Sequence, residues 1–167
     1  MKEKTKVKRG ELLGNPGFEQ YTEKSKIEDR NISRNWRFNG GMPTKATIIV
    51  DKEQAHSGNV CVKLEQEGQG DGAIYQQNIP VNFQKKYKYT IWAKGIGELK
   101  LFIYQGGNGG FLFSVVPGTF DLTDEWKEYT CIYIPSSSIV THASVAIHFI
   151  GEIYVDDVSF KEVEDEN

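Results

Sequence analysis

Apolar and polar residues alternate along most of this chain with a period of two, the spacing of half-buried β-strands rather than of helices. In residues 99–105, Leu99, Leu101 and Ile103 fall on one face, with Lys100, Phe102 and Tyr104 on the other. In 143–150, Val145, Ile147 and Phe149 form the apolar set, opposite Ser144, Ala146 and His148. In 86–94, Tyr87, Tyr89, Ile91 and Ala93 alternate with Lys86, Lys88, Thr90, Trp92 and Lys94. Similar runs predict strands over 35–39, 46–50, 60–66, 73–79, 111–116, 126–134 and 152–161. Turn compositions separate them, among them Gly40-Gly41-Met42-Pro43, Gly68-Gln69-Gly70-Asp71-Gly72, Gly106-Gly107-Asn108-Gly109-Gly110, Pro117-Gly118 and Pro135-Ser136-Ser137-Ser138. The polar stretch 20–34 reads as a long loop, and no segment carries three turns of helical periodicity. Short strands between turns, without helices, predict an all-β sandwich.

The outer faces of the three regular strands are polar, yet they carry Trp92, Phe102, Tyr104 and His148. An aromatic ring set among amides and hydroxyls suits a sugar: the ring stacks on the apolar C–H face of a pyranose while its neighbours bond the hydroxyls. Outer-face rings also stabilise cross-strand pairs or lie under loops, with no ligand involved. Both readings stand on the residues alone.

Composition narrows the field. With 167 residues, 38% hydrophobic and 26% charged, the chain has the make-up of one globular domain with a real core. The formal charge of −3 gives no basic face for nucleic acid. The basic head (Lys2, Lys4, Lys6, Lys8 and Arg9) and the acidic tail (Glu162, Glu164, Asp165 and Glu166) read as solvated ends. The expected division is a linker or disordered head over 1–10, one sandwich over 11–163, and an acidic tail over 164–167. No run approaches the ~18 apolar residues of a membrane span, so no membrane partner is expected. An export signal, if the parent is secreted, is expected upstream or already cut off, because the N-terminus lacks an apolar segment. Cys61 and Cys131 are expected as separate buried thiols, and with three scattered histidines they make no zinc site.

Six segments in order resemble the carbohydrate-binding modules of families four, nine, sixteen and twenty-two. They are Leu12-Leu13-Gly14-Asn15-Pro16-Gly17-Phe18-Glu19, Glu53-Gln54-Ala55-His56-Ser57-Gly58, Gln77-Asn78-Ile79-Pro80, Tyr87-Lys88-Tyr89-Thr90-Ile91-Trp92-Ala93-Lys94, Trp126-Lys127-Glu128-Tyr129 and Ile153-Tyr154-Val155-Asp156-Asp157-Val158-Ser159-Phe160. The resemblance spans residues 11 to about 163. It implies a jelly-roll β-sandwich of two antiparallel sheets, galactose-binding-domain-like, that binds a polysaccharide or oligosaccharide without catalysis. It also implies a role beside other domains of a multidomain parent, holding a secreted enzyme or surface protein on its polysaccharide, outside the cell or at its surface.

The resemblance further implies a structural calcium, held by Gly17 and His56 through their main chains and by Glu19, Glu53 and Asp156. Six to eight hard oxygen ligands from separate turns are what calcium takes. For sugar, it carries over Gln77, Tyr104, Ser144 and His148, with Trp36 near an N-terminal platform, where a Trp could equally cap the core; Trp92 and Phe102 join them from the strand parity. The sequence departs from the family pattern at Ile74 and Ser144, where some members carry a Trp and a larger polar residue, so the stacking surface is expected to be smaller.

Catalysis is not expected. The positions facing the cleft hold Thr90, Lys100, Phe102, Tyr104, Ser144 and His148, with no carboxylate among them, whereas glycoside hydrolysis needs two opposed carboxyl groups. No Gly-x-Ser-x-Gly elbow is present either. The rival from another class is a structural or protein-docking jelly roll, with the same calcium and no sugar site.

Overall fold

The segments of strongest alternation become the two longest strands. The computed structural model describes residues 10–21, 31–33, 35–39, 44–66 and 72–163. Among these the chain forms β1 (Asn31–Ser33), β2 (Trp36–Asn39), β3 (Thr44–Val50), β4 (Val60–Gln66), β5 (Gly72–Pro80), β6 (Tyr87–Gly107), β7 (Gly110–Asp121), β8 (Lys127–Tyr133) and β9 (His142–Glu162), with no helix. Every pairing is antiparallel.

Strands β6 and β9 have 21 residues each and pair along their length, from Tyr87↔Glu162 to Gly106↔His142. The alternation predicts two strands in each of these stretches, broken at 95–98 and at Gly151. The structure instead carries the ladder through and bends it. Gly97 lies opposite Gly151, with φ of 151° and 95°. A Cβ on Gly97 would collide with the Ile150 carbonyl oxygen, and one on Gly151 with that of Ile96. Only glycine allows two backbones to approach so closely.

The bend makes two layers from one ribbon. The C-terminal part of β6 and the N-terminal part of β9 join β1, β2, β5 and β7 in the order β1-β2-β5-β9-β6-β7. The other halves join β3, β4 and β8 in the order β3-β4-β9-β6-β8. These are the two antiparallel sheets of a jelly-roll sandwich. Glu11 bridges Lys161, and Leu12 N–H donates to the Phe160 carbonyl at 3.0 Å, so the two ends of the described chain run side by side.

The core between the layers holds the apolar face of each strand. Tyr89, Ile91, Leu101, Ile147, Val155 and Phe160 are wholly buried, each contributing roughly 1.5–3 kcal/mol if fully desolvated. Buried hydroxyls are satisfied: Tyr89 donates to the Ala146 carbonyl at 2.9 Å and Tyr133 to Gln105 Oε1 at 2.8 Å.

Two local readings change. Strand β7 runs through Pro117-Gly118, read above as a turn. Proline is tolerated because β7 is an edge strand paired only with β6, and the register slips between Leu101 and Ile103, opposite that dipeptide. Residues 31–33, read as loop, form β1. The remainder of that loop (22–30), the turns at 40–43 and 67–71, the head over 1–9 and the tail over 164–167 lie outside the described residues.

Cys61 and Cys131 are free and buried. Burial, with Asp156 adding to it at Cys61, pushes both thiols up to about 12. At pH 8 such a thiol is only about one part in ten thousand thiolate, the reactive form. A disulfide-exchange reagent at pH 8 is therefore expected to label neither cysteine in the folded protein and both in guanidinium. Rapid labelling of the native chain would contradict the buried placement.

Candidate functional site

Cross-strand register aligns the outward side chains of the first layer in rows. Arg37, Tyr75, Ala146 and Phe102 are successive Cα partners across β2, β5, β9 and β6. Asn39, Ala73, His148 and Lys100 make the next row. Ser144, Tyr104 and Ser114 make a third across β9, β6 and β7. The rings gather where these rows meet β6. Phe102 and His148 have centroids 4.0 Å apart, and Phe102 lies 5.8 Å from Tyr104. Tyr104 Oη and His148 Nε2 share a 2.6 Å hydrogen bond, which fixes both side chains. Ala146 points outward by parity yet is wholly buried, so larger neighbours roof it.

Five expected sugar residues thus share the first layer's outer side. Phe102, Tyr104 and His148 form the ring cluster, Ser144 stands opposite Tyr104, and Gln77 lies exposed on β5, where its Oε1 accepts from Arg37 Nη1 at 3.4 Å. Phe111, at the start of β7, has its ring 6.2 Å from Tyr104 and is 67% exposed. Sequence reading missed it, although an apolar ring directly after a Gly-Gly turn was the available signal.

Two expected residues belong elsewhere. Trp36 is wholly buried, packed 5.0 Å from Phe18, and its Nε1–H donates to the Asn15 carbonyl at 2.9 Å. On β2 the outward positions are Arg37 and Asn39, so parity sends Trp36 into the core. Trp92 precedes the Gly97 bend and therefore sits on the second layer, away from Phe102. Its ring lies flat on His56 at 3.8 Å and 15°, with Trp126 edge-on to the same imidazole at 5.7 Å.

The residues expected at calcium come partly together on that side. Asp156 is wholly buried; its Oδ2 accepts from the N–H groups of His56 and Ser57 at 3.0 and 3.2 Å, and its Oδ1 from Asp157 N–H at 2.8 Å. Glu19 Oε1 accepts from Asn59 N–H at 2.9 Å and Val60 N–H at 3.2 Å. A Cβ on Gly17 would lie 3.2 Å from Asp157 Oδ1 and 3.8 Å from Glu19 Cγ. Desolvation, then the neighbouring Asp157, push the Asp156 carboxyl up to about 7. Asp157, passed over in the sequence, holds His56 Nδ1 at 2.6 Å and the Ser57 hydroxyl at 2.5 Å. Glu53 is exposed on the turn after β3, and among the described residues nothing ties its side chain to this cluster. No three Asp, Glu, His or Cys side chains among the described residues converge as a metal cage. A groove of about 1340 Å³ runs beside the cluster, between the N-terminal segment and Lys88, Trp92 and Ser159. It does not touch the ring cluster of the first layer, and mixed charges rim it: Glu11, Glu128, Lys88 and Lys161.

Two antiparallel layers joined through one bent ribbon define the class of the fold, a jelly-roll β-sandwich domain. The chain belongs to the carbohydrate binding domain family of the 4/9 type, whose model matches residues 10–151. It is a non-catalytic module, and its partners are carbohydrates. Among solved structures it is similar to the CBM22-1 xylan-binding domain of Paenibacillus barcinonensis Xyn10C, with 15% identity, a TM-score of 0.65, and 90% of this chain covering 93% of that one. It also resembles the enzymatically active domain of tailspike protein 4 of bacteriophage CBA120, with 15% identity and a TM-score of 0.68 over 92% of this chain, but it spans only 21% of that chain. A Stig cyclase, Fisc, of Fischerella sp. TAU shares the fold with 15% identity and a TM-score of 0.65, over 94% of this chain and 98% of the cyclase. At such identities the likeness is one of fold alone. No curated protein sequence matches the chain.

The reassignment of Trp36 has a measurable consequence. Trp36→Ala is expected to cost about 3–5 kcal/mol in urea unfolding, as for a large core side chain. A stability change within about 0.5 kcal/mol of wild type would place the ring at the surface after all.

Proposed function

We propose that the outer face of the first layer is a sugar-binding cleft, through which the module holds a larger secreted enzyme or surface protein on a polysaccharide. The observation that carries the reading is the cluster of Phe102, Tyr104 and His148, with centroids 4.0 to 5.8 Å apart, beside Ser144 and Gln77. These rings supply stacking planes, and the hydroxyl and amide groups around them supply donors and acceptors for sugar hydroxyls. The Paenibacillus neighbour is a xylan-binding domain, which is consistent with an extended glycan as ligand.

A polysaccharide panel, read by calorimetry, tests the cleft. Tyr104→Ala is expected to weaken binding roughly ten- to hundredfold, about 1–3 kcal/mol, because it removes one plane and the anchor of His148. Ser144→Ala is expected to cost less. The Tyr104→Ala variant should remain folded, since its strand neighbours Ile103 and Gln105 carry the core contacts. Full affinity in a Tyr104→Ala, His148→Ala double variant would refute the cleft.

Calcium completes the proposal. Asp156 and Glu19, with main-chain oxygens of Gly17 and His56, would hold it on the second layer's side. The fit is supported by charge: Asp156 and Asp157 are adjacent, Glu19 stands beside Gly17, and among the described residues no Lys or Arg pairs with these three carboxylates. An ion that binds only the folded chain stabilises it by mass action. Chelator is expected to lower the melting temperature by several degrees, restored by added calcium. An unchanged melting temperature would remove the site, and sugar affinity should shift only indirectly.

A further inference from the structure

We infer that the cleft's ligand is acidic, a polysaccharide bearing uronic acids whose carboxylate groups pair with Arg37. This rests on the reading of the first layer's outer face as the saccharide site.

Arg37 points outward from β2, in the same cross-strand row as Tyr75, Ala146 and Phe102. Neighbouring strands lie about 4.8 Å apart, so its Cα stands roughly 14 Å from that of Phe102, across the cleft from the rings. Gln77 Oε1 accepts from Arg37 Nη1 at 3.4 Å, near the limit of a hydrogen bond. No ion pair reaches Arg37 among the described residues, whereas the other cation of this face, Lys100, is paired with Glu98 at 3.3 Å.

Charge sharpens the contrast. The chain as a whole carries −3, a field that repels a polyanion. The outward positions of the three rows, among the described residues, hold no carboxylate. The carboxylates Glu19, Asp156 and Asp157 gather on the second layer's side instead. The face with the stacking rings therefore also carries a guanidinium that no ion pair occupies among the described residues. A neutral glycan would offer that fork of donors only uncharged hydroxyl and ring oxygens, which accept more weakly than a carboxylate. A uronate carboxylate matches it in charge and geometry, by two parallel N–H···O bonds.

Calorimetry with matched polymers tests the inference: glucuronoxylan, polygalacturonate and alginate, each beside its carboxyl-reduced counterpart, which keeps the backbone and loses the charge. At least one acidic polymer is expected to bind about three- to tenfold more tightly than its reduced form, between the effect of an exposed ion pair and that of a bidentate, charge-assisted bond. The gap should narrow from about 0.05 to 0.5 M salt as screening shortens the reach of the charge. Arg37→Gln, with an unchanged melting temperature, should abolish the preference while keeping binding to the reduced polymer; Lys100→Gln should leave the preference intact. Equal affinities for acidic and reduced forms, binding of reduced forms alone, or a preference that survives Arg37→Gln would overturn this inference and leave the saccharide reading standing. Absence of binding to every polymer, acidic or reduced, would overturn the saccharide reading and this inference with it.

Discussion

The pairing of β6 with β9 governs the rest of the molecule. Both strands are central in both layers, so each neighbour finds its place by hydrogen bonding to one half or the other of the same ribbon. The ribbon can serve two layers only because Gly97 and Gly151 meet at its middle, where the facing carbonyl oxygens leave no room for a Cβ. Continuous pairing through the bend avoids unpaired backbone groups at the fold's most crowded point, where they would cost free energy if left unmade.

From that constraint follows a division of surface chemistry. Outward side chains before the bend in β6 and after it in β9 belong to the second layer, where Trp92, His56 and the acidic residues meet. Those after the bend in β6 and before it in β9 belong to the first, where Phe102, Tyr104 and His148 gather. The second side is knitted by charge-to-backbone bonds: Asp156 and Glu19 together accept four N–H groups from residues 56–60, fastening the turn before β4 to the chain's two ends. The first side is knitted by rings and one hydroxyl–imidazole bond.

Period-two alternation made most strands and their faces legible from sequence, because each residue's side of a strand follows from parity alone. Leu99, Leu101, Ile103, Val145, Ile147 and Phe149 all lie in the core as their spacing requires. Parity does not say which layer a strand half joins. That depends on a long-range meeting of two glycines 54 positions apart in sequence (151 − 97), and so the placement of Trp92 with Phe102 failed. Composition likewise cannot tell a glycine that ends a strand from one that bends it, and so alternation alone divides β6 and β9 into four pieces. Trp36 misled for another reason: its short strand offered too few residues to establish a phase. The acidic turns were visible as motifs, but only the fold shows that Asp157 rather than Glu53 stands beside Asp156 and Glu19.

The alternation along β6 has a consequence for how such a domain changes over evolutionary time. Lys100, Phe102 and Tyr104 interleave with Leu101 and Ile103, which remain wholly buried on the other side of the same backbone. Substitutions at the outward sites meet neither the packing between layers nor the ladder hydrogen bonds, which the main chain makes regardless of side chain. Surface chemistry and foldability are thus inherited through different letters of one strand. A lineage can rewrite the alternate positions without passing through an unfolded intermediate, and the same alternate positions are those a designer would randomise to graft a new surface onto this scaffold.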